Sequence, residues 1–578
     1  MIDDLRPANA DRAPDSVRVN DDLQVRDVVY ARTAWINNIF LVLIGLGGIL
    51  RLLAANTLTP HVDEGASLLA AHAVVERGFP ILPSGTVYTQ GALLSYLTAP
   101  FVWLGLDDLS DLNALRSVVV VAGTIAIYLA YRFASILTGD QRIGLVMAAL
   151  VAFDPLSIQW SGHLRMYGLM QAITFGLALA WTLLLSQGAT WKRSVAVVLL
   201  YWAAVGTHLG SAALLGGAMA LSALIVYRMQ LLRAWRTLAT LVLSAAGAGA
   251  LMVLNSTLGS SSVGDPEKAS SEKPVSFVGD NLLTPFAFDI DDIDWAALVR
   301  PENLFYLVPG ILVALATFIG GRQMLRSARP VTRVGAVVAL CMYWIPMIGV
   351  GLFTNSPNER YVLNAHLVGF IFMSVIVIAA LDYWRDRQPA YSVLPPALAQ
   401  GMAIAMAAAL LFGTTWRIEN PVVHPDHNAA MDYVAEHHEP GQPIISALPA
   451  ISYLALDEED RDDLYFLAGE QNQSRARRYT RYTGDGQLID YWVGAPAMVN
   501  PDNIRQFLRD NPDAWIVVDE DRLTEDWAYQ GVVQEILLSE TVPVATTSGG
   551  GLIMRPSGYA TEINREAWSL TLFGDDDE

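Results

Sequence analysis

The sequence holds a single cysteine, Cys341, and it lies inside an apolar run. A disulfide within the chain and a cysteine metal site are both excluded. Charge is scarce: Asp, Glu, Lys and Arg make up 16% of the 578 residues, against roughly 25% in soluble domains. That deficit, with 53% hydrophobic residues and a mean hydropathy of +0.35, points to lipid as the solvent for most of the chain. The first 34 residues are rich in Asp and Arg and lack the apolar core of a cleavable signal. The first span is therefore expected to act as an uncleaved signal anchor. No internal repeat is visible, which weighs against the inverted-repeat plan of many transporters.

Apolar stretches near the ~20 residues that cross a bilayer recur from Trp35 to Trp416. The spans read as 35–55, 115–137, 143–159, 163–187, 194–206, 209–227, 237–257, 304–321, 334–353, 362–382 and 396–416. Short loops on one side carry 17 Lys and Arg, and the longer loops on the other carry six. The positive-inside rule then places the N-terminal tail (1–34) in the cytoplasm and the chain beyond the last span outside. Two outer loops are long, 56–113 and 256–301. Within the first, the apolar segment 92–106 is too short to span and suits an interfacial helix.

The acidity of the chain sits behind the spans. Residues 417–578 hold 30 Asp and Glu against 11 Lys and Arg, while residues 1–416 hold 27 against 26. A nearly neutral membrane body (35–416) thus precedes an acidic soluble domain (417–560) and an acidic tail (561–578). Such a domain is no partner for nucleic acid. Helices are expected over 428–438 and 503–510, and strands over 443–447 and 515–518. The fold class is a polytopic α-helical membrane protein of about eleven spans with a C-terminal extracytoplasmic α/β domain.

Ionisable residues at span ends are costly, and here they collect on the outer side. Asp63 and Glu64 follow the first span. Asp154, His163, Arg165 and Tyr167 lie between the third and fourth spans, His208 at the next outer turn, and Asn358, Glu359, Arg360 and Tyr361 at the start of the tenth. A carboxylate beside arginines suits sugar transfer from a lipid phosphate. The carboxylate removes the acceptor proton, and the planar guanidiniums grip the leaving phosphate in place of an acid.

The Asp63-Glu64 pair past the first span, Leu164-Arg165-Met166-Tyr167, and Glu359-Arg360-Tyr361 together resemble the GT-C superfamily of glycosyltransferases. The nearest branch is glycosyltransferase family 39, the protein O-mannosyltransferase and aminoarabinose transferase group. The resemblance covers roughly 35–382 and rests on order, spacing and sidedness, since each motif alone is short. It implies a GT-C-like catalytic membrane domain and a polyprenyl-phosphate-linked sugar as donor. It also implies an acceptor protein, lipid or glycan, Asp63 as base within the acidic pair, and Arg165 and Arg360 on the phosphate. His208 stands where relatives have lysine or tyrosine, so no role transfers to it.

The residues also have plain structural readings. Asp63 and Glu64 suit the N-terminus of a helix. Arg165 and Arg360 suit snorkelling at the interface. Asp154 before Pro155 suits a turn, and His208 suits packing. Tyr167 and Tyr361 accompany the arginines as candidate substrate contacts. The run Asp289, Asp291, Asp292 and Asp294 offers hard oxygens for a divalent metal, but the Asp63-Glu64 pair has no metal-ligand spacing, and no cofactor is expected. The alternative to a transferase is a lipid or solute transporter, or a flippase, without covalent chemistry.

Overall fold

The computed structural model describes residues 23–260, 301–353, 359–390, 394–419, 425–470, 479–524, 529, 531–548 and 550–557. The acidic run 289–294, Asn358 and the tail 561–578 lie outside them. The membrane body comprises α1 (Leu23–Thr57), α2 (Val62–Arg77), α3 (Ala92–Trp103), α4 (Ser117–Thr138), α5 (Gln141–Ala152), α6 (Pro155–Trp160) and α7 (Tyr167–Gln187). It continues with α8 (Trp191–Thr207), α9 (Leu209–Tyr227), α10 (Trp235–Ser260), α11 (Pro301–Leu325), α12 (Pro330–Phe353), α13 (Glu359–Trp384) and α14 (Pro396–Glu419). Ten of the eleven expected spans each fall largely on one helix, and 143–159 is divided between α5 and α6. Eight helical stretches are long and apolar enough to cross a membrane among the described residues. The protein is a polytopic helical membrane protein.

The third expected span, 143–159, is broken. Pro155 has no amide hydrogen to continue α5, and it opens α6 at the first helical position, capped by Asp154. The break strands the last carbonyls of α5 in an apolar setting. Arg51 of α1, fully buried, answers them. It donates to Val151 O at 3.0 Å and Ala152 O at 3.3 Å, and also to Ser157 Oγ at 2.6 Å. Gly47 lets α1 come that close, since a Cβ there would stand 2.5 Å from Ile127 Cδ1 of α4.

Beyond α14 the chain forms an α/β domain. Its elements are α15 (His427–His437), β1 (Ile444–Ser446), α16 (Pro449–Ala455), β2 (Leu464–Leu467), β3 (Thr480–Tyr482), β4 (Leu488–Asp490) and β5 (Ala497–Met498). Then follow α17 (Pro501–Asp510), β6 (Trp515–Asp519), α18 (Val532–Glu540), β7 (Thr541–Thr547) and β8 (Gly551–Pro556). The main sheet has the order β5-β2-β1-β6-β8-β7, with β5, β2, β1 and β6 parallel and the β8-β7 edge antiparallel. β3 and β4 form a separate antiparallel ribbon.

Both sheet faces are covered, and the strands read accordingly as apolar runs. Ile444, Trp515 and Val517 turn toward α15, whereas Ile445, Ile516 and Val518 turn toward α17 and α18. The first of these cores does not stop at the domain edge. Ala66, Leu69 and Ala70 of α2 belong to it, so α2 is shared between the soluble domain and the membrane body.

Candidate active site

Helix α2 carries the acidic pair, and its N-terminus is fixed by a capping box. His61 is the cap: its Nδ1 accepts from Asp63 N at 3.1 Å, and Glu64 Oε2 accepts from His61 N at 2.7 Å. The cap is therefore His61, leaving the Asp63 carboxylate for other partners.

The two carboxylates have different surroundings. Glu64 is 0% exposed. Its oxygens accept from Arg116 Nε at 2.9 Å, Arg116 Nη2 at 2.7 Å and the backbone amide of Leu164, with His163 Nδ1 at 3.5 Å. Burial opposes its charge, but the Arg116 and His163 contacts hold its carboxyl well below the ordinary value. Arg116 also donates to Ala55 O and Leu58 O, at 2.7 and 2.9 Å. One buried ion pair thus ties the end of α1, the start of α2 and the 163–165 turn together.

Asp63 is 24% exposed and lies between two guanidiniums. Arg165 Nη2 stands 3.1 Å from its Oδ2, and Arg360 Nη1 stands 3.7 Å from the same atom. Burial pushes the Asp63 carboxyl up, yet Arg165, His61 and Arg360 outweigh it and hold it at about 2. Arg165 is itself clamped: Nη1 donates to Asp63 O at 3.0 Å, to Tyr88 Oη at 2.8 Å and to Ser67 Oγ at 3.3 Å.

Aromatic rings surround Arg360. Its Cζ lies 5.5 Å from the Trp160 ring, 6.0 Å from Tyr167 and 5.3 Å from Tyr361, all within cation–π range. His208 stacks on Tyr361 with ring centroids 6.3 Å apart and lies 6.1 Å from Tyr167. His208 also caps α9, accepting from Ser211 N at Nδ1 at 3.0 Å, so in the neutral ring its Nε2 carries the proton. Next to this ring wall lies a small hollow lined by Ser211, Leu214, Leu215, Pro346, Tyr361, Asn364 and Ala365. The amide oxygen of Asn364 is buried there without a hydrogen-bond partner.

Asp63, Glu64, Arg165, Tyr167, His208, Arg360 and Tyr361 therefore converge, as their order along the chain implies. Asp154 sits at the opposite end of α6 from Trp160. It accepts from Ser157 N at 2.7 Å and faces His366 Nε2 at 3.5 Å.

No family profile matches the chain, and no curated protein matches it. Among solved structures it is similar to ArnT from Cupriavidus metallidurans bound to undecaprenyl phosphate. The TM-score is 0.54 at 12% identity, over 90% of this chain and 98% of that one. The apo state of that protein gives 0.54 at 13% identity, over 92% and 99%. The archaeal oligosaccharyltransferase AglB from Archaeoglobus fulgidus, in complex with an inhibitory peptide and a dolichol-phosphate, gives 0.49 at 12% identity, over 94% and 78%. The chain has a GT-C fold.

Within this GT-C fold, five contributors to the site were not singled out from sequence: His61, Ser67, Tyr88, Arg116 and Trp160. Arg116 offered a signal, because an arginine opening an apolar span is an ionisable group at membrane depth. Tyr88 and Ser67 offered none. Their meaning comes from Arg165, which lies 77 residues from Tyr88 and 98 from Ser67 in the chain.

Proposed function

We propose that the protein is a membrane glycosyltransferase that moves a sugar from a polyprenyl-phosphate donor to an acceptor hydroxyl or a comparable nucleophile. The observation that carries this reading is Asp63, a partly exposed carboxylate gripped by Arg165 and Arg360 and walled by the rings of Trp160, Tyr167 and Tyr361. The guanidiniums take the phosphate. ArnT, with the same fold, is bound to undecaprenyl phosphate, which supports a donor of that chemical class.

Asp63 removes the acceptor proton as the acceptor oxygen forms its bond to the anomeric carbon. The bond from that carbon to the phosphate oxygen breaks, and its electron pair leaves with the polyprenyl phosphate. A single displacement inverts the anomeric centre. The entering phosphate competes for both arginines and adds negative charge beside Asp63. Both effects raise the proton affinity of a carboxyl otherwise held at about 2, and so make it a better base. Glu64, saturated and buried, positions the pair rather than accepting the proton.

The acceptor is a protein, lipid or glycan at the outer face of the cell membrane, and the α/β domain packs beside the site on α2. No metal is required by this scheme, because the two cations already neutralise the leaving phosphate. Membranes containing the protein are to be incubated with polyprenyl-phosphate sugars labelled in the sugar. Transfer of label to an acceptor fraction, with release of the polyprenyl phosphate, is expected. Binding or translocation of an intact donor without release would sink the enzymatic reading.

A further inference from the structure

One grouping of His and Asp side chains stands apart from the active site. His438 closes α15, and Asp460 and Asp463 belong to the 3-10 turn Glu458–Asp463 that leads into β2. One ligand atom from each lies within 4.8 Å of the others. The His438 side chain is only 2% exposed, and its Nδ1 faces Asp460 Oδ1 at 3.6 Å.

The hydrogen bonds decide what that histidine presents. Its Nε2 lies 2.8 Å from Gln442 O. A carbonyl only accepts, so Nε2 carries the proton, and in the neutral ring Nδ1 is a bare lone pair. That lone pair faces carboxylate oxygens, which also have only lone pairs to offer. Acceptors converging in this way are bridged either by a proton on the ring or by a cation between them. The surroundings are also those of a ligand set. Metal-binding histidines donate their second ring N–H to a carbonyl in this manner, and ligating carboxylates are themselves held by hydrogen bonds. Gly441 N holds Asp463 Oδ2 at 2.9 Å.

We infer that His438, Asp460 and Asp463 bind one divalent transition-metal ion of the Zn²⁺ class, with water completing the coordination. The imidazole nitrogen favours such an ion over Ca²⁺ or Mg²⁺, which take oxygen ligands. The site joins the turn before β1 to the turn before β2, which follows the C-terminal end of α16 and is tied to it by Arg461 donating to Tyr453 O and Leu456 O. The ion braces these two turns of the domain and takes no part in chemistry at Asp63.

The test uses the full-length chain, free of any affinity tag, in detergent. It is stripped with chelator, equilibrated with Zn²⁺, and passed through a desalting column. About one Zn²⁺ per chain is expected in the wild type, with less than about a fifth of that in His438→Gln and in Asp460→Asn. Thermal unfolding of the α/β domain should shift upward with Zn²⁺ in the wild type alone. Using two variants guards against one that fails to fold. Equal Zn²⁺ retention in wild type and variants would overturn the site, leaving a protonated His438 paired with Asp460. Equal protection by Ca²⁺ would overturn the choice of ion.

Discussion

At the scale of single residues, neighbouring carboxylates on one helical turn do different work because their partners differ. Asp63 is reachable and held ionised by two arginines, so removing its charge should remove a base and little else. The capping of α2 belongs to His61, so Asp63→Asn leaves the helix start intact. Folded protein with donor binding retained and turnover lowered by about 10²- to 10⁴-fold is expected from kinetics at matched protein levels. Near-normal turnover would assign the base elsewhere. Glu64 has the opposite character. Glu64→Gln leaves the Arg116 guanidinium buried without its counter-charge, a change that costs about 3–5 kcal/mol in comparable pairs. Its expected signature is a lower melting temperature with loss of active protein. Arg116→Lys should reproduce it, since an ammonium cannot span both oxygens of Glu64 and the carbonyls of Ala55 and Leu58. Normal melting in either variant would contradict the tie between α1, α2 and the 163–165 turn.

At the scale of elements, α2 decides how the soluble domain meets the membrane body. One side of its first turns carries the acidic pair, and another packs against α16. At Gly65 a Cβ would already stand 3.1 Å from Ile451 Cγ1, so the packing depends on the absence of a side chain. Gly65→Leu should separate α16 from α2 and disturb Asp63 two residues away. Turnover should fall at least tenfold and limited proteolysis of the 425–470 region should quicken, read as band loss over time. Much of this level was legible in the sequence. The helices follow the apolar runs, but the span read as 143–159 ran through Asp154-Pro155, where the chain breaks into α5 and α6. Asp63, Arg165 and Arg360 were legible because charge at a span end is conspicuous against lipid-facing residues. Arg116, Tyr88 and the sheet order were not. Arg116 finds Glu64 across 52 residues of chain, and β5 is a two-residue strand chosen by its neighbours rather than by its own composition.

At the scale of the whole molecule, orientation and domain docking set who can reach the site. From the basic residues of the short loops we propose that the α/β domain lies outside, on the side where Asp63 opens. Protease added to intact cells or spheroplasts should therefore cleave within that domain. Cleavage only after lysis would reverse the orientation.

Docking is expected to depend on pH through Asp490 at the end of β4. Its Oδ2 accepts from Trp492 N at 2.9 Å and Val493 N at 2.6 Å, while Oδ1 is buried without a hydrogen-bond partner. The turn it holds meets the first long loop through Ser84, whose Oγ donates to Tyr491 O at 2.5 Å and whose N donates to Trp492 O at 3.1 Å. The same loop carries Tyr88, the partner of Arg165. Burial raises the Asp490 carboxyl to about 7, against the pull of the backbone amides of Val493 and Trp492. A carboxyl raised in the folded state binds its proton more tightly there than in the unfolded chain. Its favourable contribution is complete below the unfolded value near ~4 and is lost as pH rises through about 7. The wild-type domain should therefore melt at progressively lower temperature from pH 5 to about 8. Asp490→Asn cannot ionise, yet keeps an oxygen for the two amides, so its melting temperature should vary less over the same interval. Parallel curves for the two proteins would show that Asp490 does not titrate in this range and that the docking turn is insensitive to its charge.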